Sequence, residues 1–223
     1  MNNHIMQNHK KIINNTIEFV KKELSGAEGG HDWWHIYRVW KLSQQIAAEE
    51  SADMLVVELT ALLHDIADPK FYGGDEEVGP NTARKFLKEQ DVDDDIIDHV
   101  IGIIRNMSFK NSLGTVNFHS KEFEVVQDAD RIDAIGAIGI ARAFNFGGFK
   151  NRPLYDPEIK PDLHMSKAEY KKSLSPTINH FYEKLLLLKD KMNTPTGKMM
   201  AEERHQYMEQ FLEKFYSEWD GKS

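Results

Sequence analysis

The stretch "LTALLHDIADPK", residues 59–70, decides the fold. Leu59, Leu62, Leu63 and Ile66 recur at three- and four-residue steps, the period of a helix rather than a strand. The element starts near residue 53, is apolar enough to be buried, and ends at a His-Asp pair, His64-Asp65. A carboxylate in such a place needs a hydrogen-bond partner or a metal. Neighbouring helical residues project about 100° apart, close to the roughly 90° between adjacent ligands of a six-coordinate ion. The plain alternative is a pair that only hydrogen-bonds the helix end.

The same helical spacing extends outward. Ile13, Ile17, Val20 and Leu24 mark a first helix that "SGAEGG" ends. His35, Val39, Leu42 and Ile46 mark a second, from His31 to about Ala48. Residues 53–66 are the third, and 81–90 and 93–106 are two more. Lys121 to about Phe144 reads as one long segment, its Gly136 and Gly139 suited to close helix packing. "NFGGFKNRPLYDPEIKPD", residues 145–162, carries Gly-Gly and Pro153, Pro157 and Pro161, the chemistry of a long loop, and long loops often cover sites. Helices follow over 176–191 and 196–219. No stretch alternates as a strand would. The expectation is an all-α chain: one helical domain over 1–223, with a loop at 145–175 and a C-terminal helical extension.

Composition narrows the function classes. A chain of 223 residues, 40% hydrophobic and 29% charged, can fold around a core and stay soluble. Net charge of −8 disfavours nucleic acid as partner, which a basic face would bind. It still permits a phosphorylated small molecule, because a metal ion supplies positive charge locally. With no cysteine, any metal must be held by His and carboxylates. The start "MNNHIMQNHKK" lacks an apolar signal region, and no run approaches a membrane span. A cytoplasmic protein with no membrane partner is expected.

Two further stretches add candidate ligands. "GHDWWHIYRV", residues 30–39, holds a second His-Asp pair, His31-Asp32, and then His35. Chance supplies roughly one His-Asp pair in such a chain, so the surroundings must decide. His31 and His35 are four apart on one helical face and could bind a metal as a pair, or His35 alone could join ligands from elsewhere. Arg38 shares the face of His35. In "VVQDADRIDAIGAIGIARAF", residues 125–144, Asp128, Asp130 and Asp133 interrupt an apolar helix. A salt bridge to an Arg is the simple explanation. Ligation of a metal, or orientation of a ligand His, is the other.

His35, His64-Asp65 and Asp130, in that order on helices, resemble the H…HD…D signature of the HD superfamily of metal-dependent phosphohydrolases. "GHDWWHIYRV", "ALLHDIADPKF", "VVQDADRIDAIGAIGIARAFNFGG" and "HFYEKLLLLKDKMNT" are similar to one bacterial branch, over about residues 25–220. The resemblance implies His35, His64, Asp65 and Asp130 as the ligands of one divalent metal per chain. Mn²⁺ is the first candidate, and Mg²⁺, Co²⁺, Ni²⁺ and Fe²⁺ suit the same mixed N/O set. His99 and His119 do not match the pattern of a second metal, and His99 reads as a core histidine or a support to the ligands.

Other roles stay open. Such a metal would polarise a phosphoryl oxygen and acidify a water. Asp68, three residues after Asp65, is the candidate base, or a cap before Pro69. Lys70 would hold a phosphate, or is a solvated loop lysine. His31 is assigned to the pocket rim, and Arg38 to phosphate or a nearby acid. Asp133 is assigned to a sugar hydroxyl, a ligand or an Arg. His180 and Lys184, four apart, would close the pocket or form a surface pair. Lys150 and Arg152 would meet phosphates, while Phe144, Phe146, Phe149 and Tyr155 would stack on a base, unless Phe144 and Phe146 are simply core at a helix end. The resemblance implies hydrolysis of a nucleoside triphosphate to monophosphate and pyrophosphate. A nucleoside monophosphate phosphatase, a phosphodiesterase and a non-enzymatic nucleotide or metal sensor are the alternatives, and a homodimer is a candidate assembly.

Overall fold

The computed structural model describes residues 2–26, 32–67, 72–107, 118–165 and 174–222. Among them lie nine α-helices and no strand, the expected all-α class. No helix among the described residues is long and apolar enough to cross a membrane. The chain forms two compact units, Met1–Ala129 and Asp130–Ser223.

The first unit holds α1 (Asn2–Glu23), α2 (Trp33–Glu50), α3 (Met54–Leu63), α4 (Val78–Glu89), α5 (Asp94–Met107) and most of α6 (Lys121–Asp133). At its centre is α3. Leu55, Val56, Val57, Leu59, Thr60, Ala61, Leu62 and Leu63 are all buried, which is the property of a helix apolar on every side. Around it pack Ile13 and Val20 of α1, Ile36 of α2, Leu87 of α4, Ile97 and Ile101 of α5 and Phe123 of α6. Asp53 starts α3 by accepting from the backbone N–H of Leu55 and Val56. The helix stops at Leu63, earlier than the expected 66.

Neighbours are set by a few polar ties. Trp40 Nε1 and Gln44 Nε2, both on α2, donate to Glu58 Oε1 of α3 at 2.9 and 2.6 Å. At the start of α6, Ser120 Oγ accepts from Phe123 N–H and meets His99 Nε2 at 2.9 Å. Two residues after Ser120, Glu122 accepts from Asp53 N–H at 2.9 Å. That bond ties the start of α6 to the start of α3.

The second unit holds the end of α6, then α7 (Gly136–Phe149), the short α8 (Asn179–Glu183), two 3₁₀ turns (Leu185–Leu187 and Lys189–Lys191) and α9 (Pro195–Trp219). The long segment expected over 121–144 is therefore two helices. Ile135 is extended and Gly136 takes φ +74°, a left-handed conformation that a side chain resists. Arg204 of α9 donates to the Ile132 carbonyl at 2.6 Å and so covers the end of α6. The loop begins at 150, not 145. Gly147 belongs to the helix because a Cβ there would lie 2.1 Å from Thr177 Oγ1, so this glycine serves close approach and not a turn. In place of the expected helix over 176–191 stand a short α-helix and two 3₁₀ turns, since the run Leu185–Leu188 has no helical period to hold a longer one.

Aromatic residues fill this unit. Phe181 stacks on Phe211 at 5.8 Å, Phe144 meets Phe181 at 6.1 Å, and Tyr155 lies edge-on to Trp219 at 5.1 Å. Phe144 and Tyr155 are half-buried within this aromatic cluster. Phe146 and Phe149 are exposed.

Candidate metal centre

The first His-Asp pair divides its labour. Asp32 adopts an extended conformation (φ −89°, ψ 174°), and its carboxylate accepts from His35 N–H at 3.0 Å. It is the N-cap of α2, and its hydrogen bond goes to the backbone of the residue predicted to be a ligand. His35 is buried, 3% exposed. His31 lies outside the described residues, as do Asp68 and Lys70.

His64 caps the C-terminus of α3. Its Nδ1 is 2.9 Å from the Ala61 carbonyl oxygen. A carbonyl only accepts, so Nδ1 carries the proton and the lone pair lies on Nε2. Fixing a ligand's tautomer through its other nitrogen is how metal-binding imidazoles are oriented. The rings of His35 and His64 are 5.5 Å apart and inclined by 67°.

Asp130 is the third member. The division between the two units falls just before it, but α6 runs unbroken from Lys121 to Asp133, so its position follows from the preceding turns. Geometry explains why these three meet. From Met54 to His64 α3 rises about 15 Å, and from Glu122 to Asp130 α6 rises about 12 Å. Both helices start at the Asp53–Glu122 bond, and His64 and Asp130 lie toward their far ends. On α2, which runs the other way, His35 lies about 7 Å before Trp40, the residue tied to Glu58. One ligand atom each from His35, His64 and Asp130 lies within 4.8 Å of the others. Opposite ligands of an ion bonded at about 2.1 Å stand about 4.2 Å apart, so the three donors are spaced on the scale of one ion's ligands. Two imidazole nitrogens and a carboxylate oxygen suit a divalent ion. Asp65, half-buried beside His64, is not one of the trio.

The remaining candidates fall into two groups. Asp133 is paired. Arg142 Nη1 donates to its Oδ2 at 2.5 Å and to its carbonyl at 3.3 Å, and its side chain is only 1% exposed. Of the readings given to Asp133, this is the salt bridge with an Arg. Arg142, which the sequence reading left out, is the functional-looking residue here. Lys150, exposed, sits over Phe149 at 4.8 Å, and Arg152 over Phe146 at 5.7 Å. Arg38 is half-buried on α2, one turn from His35.

His180 is half-buried and Lys184 is exposed. Burial, then Lys184, then Arg152 push the His180 pKa down to about 4. The protein around the Lys184 ammonium group lowers its pKa. Asp130 works against that lowering and Arg142 adds to it. Arg142, Lys184, His180 and Arg152 therefore act on one another in sequence, with Asp130 as the acid within reach of Lys184.

A model of the HD domain matches residues 33–135, a span that takes in His35, His64-Asp65 and Asp130. Bacillus subtilis YpgQ is 39% identical over 213 residues, 91% of each chain. The chain belongs to the HD superfamily. A crystal structure of an HD-superfamily hydrolase from Bacillus thuringiensis is 44% identical, covers 95% of this chain and 98% of its own, and superposes with a TM-score of 0.77. The crystal structure of Bacillus subtilis YpgQ in complex with ADP is 35% identical, with coverage of 95% and 96% and a TM-score of 0.72. HD domains bind divalent metals, and the trio here has the donors to hold one.

Proposed function

We propose that this HD-superfamily hydrolase is a metal-dependent phosphohydrolase of nucleotides, and that it converts a nucleoside triphosphate to monophosphate and pyrophosphate. The observation that carries the reading is the convergence of His35, His64 and Asp130, with Asp130 in electrostatic reach of Lys184. A site that joins metal donors to basic groups suits an anionic phosphate ester or anhydride. The ADP complex of YpgQ supports a nucleotide as ligand.

His35, His64 and Asp130 would hold one divalent ion, Mn²⁺ first among the candidates, with Asp65 as a fourth ligand. When bound, the ion supplies Lewis acidity toward a phosphoryl oxygen and a water. Lys184, His180 and Arg152 bind the phosphate chain, with Lys70, Lys150, His31 and Arg38 as further contacts. Asp68 takes the proton of the attacking water. Oxygen from that water bonds to the α-phosphorus, the bridging bond from the α-phosphorus breaks, and pyrophosphate departs with the bridging oxygen. One chain acts as a single functional domain, in the cytoplasm.

Purified protein is incubated with Mn²⁺ and a nucleotide panel, and products are resolved by ³¹P NMR. Monophosphate with pyrophosphate is the expected outcome. Orthophosphate with diphosphate from the same triphosphates refutes the choice of bond.

A further inference from the structure

Arg142 has so far been a partner of Asp133 and nothing more. We propose that Arg142 is itself a phosphate-binding residue, held in place by Asp133, and that with Lys184 and Arg152 it selects substrates carrying more than one phosphate. The inference rests on the phosphohydrolase reading above and adds a residue that would recognise the phosphate chain.

Position is the first support. Asp133 follows Asp130 by three residues on α6, so the anchor of Arg142 lies one helical turn from the metal trio. The pair is also unequal. The Asp133 carboxylate is 1% exposed, while the Arg142 side chain is 32% exposed. The guanidinium therefore reaches from a buried acid to water. Its fork carries five N–H donors in one plane, and Asp133 engages it through Nη1. A guanidinium fixed this way loses little freedom when it meets a phosphate, because the anchor has already ordered it.

Charge is the second support. Arg142 acts on Lys184, and Lys184 and Arg152 act on His180. Two guanidiniums and one ammonium are thereby linked through their charges. Asp130 offsets the effect of Arg142 at Lys184. Asp133 in turn holds Arg142, so the basic groups are gathered and oriented by acids on α6. A monophosphate brings about two charges at neutral pH. A di- or triphosphate brings more and spreads them along a chain of oxygens, which matches cations placed in sequence.

The test uses the full chain with Mn²⁺ and two probes, AMP and ATP with a methylene bridge between its α- and β-phosphates, which resists cleavage at that bond. Calorimetry on the wild type is expected to show the triphosphate analogue bound at least tenfold more tightly than AMP. Arg142→Lys, which keeps the charge but loses the fork, is expected to weaken the analogue about tenfold and AMP less than threefold. Asp133→Asn, which keeps the guanidinium but loosens its anchor, is expected to reduce the discrimination at least threefold. If both variants fold and discriminate as the wild type does while Lys184→Met loses the analogue, the role given to Arg142 is overturned and the phosphohydrolase reading stands. If the Mn²⁺-loaded wild type binds neither probe, that reading itself falls, and this inference with it.

Discussion

Replacing Asp32 by Ala separates a cap from a catalyst. The structure gives its carboxylate the bond from His35 N–H at 3.0 Å, in the half-buried first turn of α2. Loss of an N-cap of this kind costs about 1 kcal/mol. For a domain of this size that corresponds to a fall in melting temperature of roughly 2–4 °C. The imidazole of His35 stays in place, because Ile36 and Val39 of the same helix are fully buried and hold it. Mn²⁺ affinity should therefore fall less than tenfold, within the range of a residue that only orients a ligand. Asp32→Ser, which caps without a carboxylate, should restore both the melting temperature and the affinity. Thermal unfolding by circular dichroism and Mn²⁺ titration read the two effects. If the Ser variant keeps its stability but loses the metal as completely as a ligand substitution would, Asp32 does chemistry and the cap assignment is wrong.

Two more predictions follow from the second unit. Gly147→Ala drives a Cβ to 2.1 Å from buried Thr177 Oγ1, whereas Gly148→Ala meets nothing within 4 Å; the first should destabilise by about 1–3 kcal/mol and the second should stabilise by up to about 1 kcal/mol, both read by urea denaturation. His180 sets a pH dependence: its folded pKa of about 4 lies below the unfolded 6.5, so between these values the unfolded chain binds more protons. Stability should rise with pH across that window, by up to about 3 kcal/mol, and be lost as pH falls toward 4; His180→Gln should flatten that rise.

What the sequence made legible was whatever repeats at a helical period or sits in an ordered context. The apolar run before His64 declared α3, and three of the four ligands named by resemblance converge. Asp32 was readable too, since an Asp just before an apolar helix is an N-cap signal, but its place in a His-Asp pair drew attention to ligation instead. Arg142 was harder. It lies nine residues from Asp133, a spacing that faces nothing on one helix; only the break at Ile135 and Gly136 turns α7 back so that the two meet. The four leucines from 185 to 188 gave no period, and 3₁₀ turns took the place of a helix. Phe144 looked available for a base until the partners Phe181, Phe211 and Phe215, distant in sequence, closed around it.

The central claim is that His35, His64 and Asp130 hold a divalent ion. Equilibrium dialysis of Mn²⁺ against the wild type and the variants His35→Ala, His64→Ala, Asp130→Asn and His31→Ala tests it most directly. The expected result is one Mn²⁺ per wild-type chain, affinity reduced at least a hundredfold in the first three variants, and the metal retained in His31→Ala. Full Mn²⁺ binding by folded His35→Ala, or loss of the metal in His31→Ala as complete as in His35→Ala, would contradict the account.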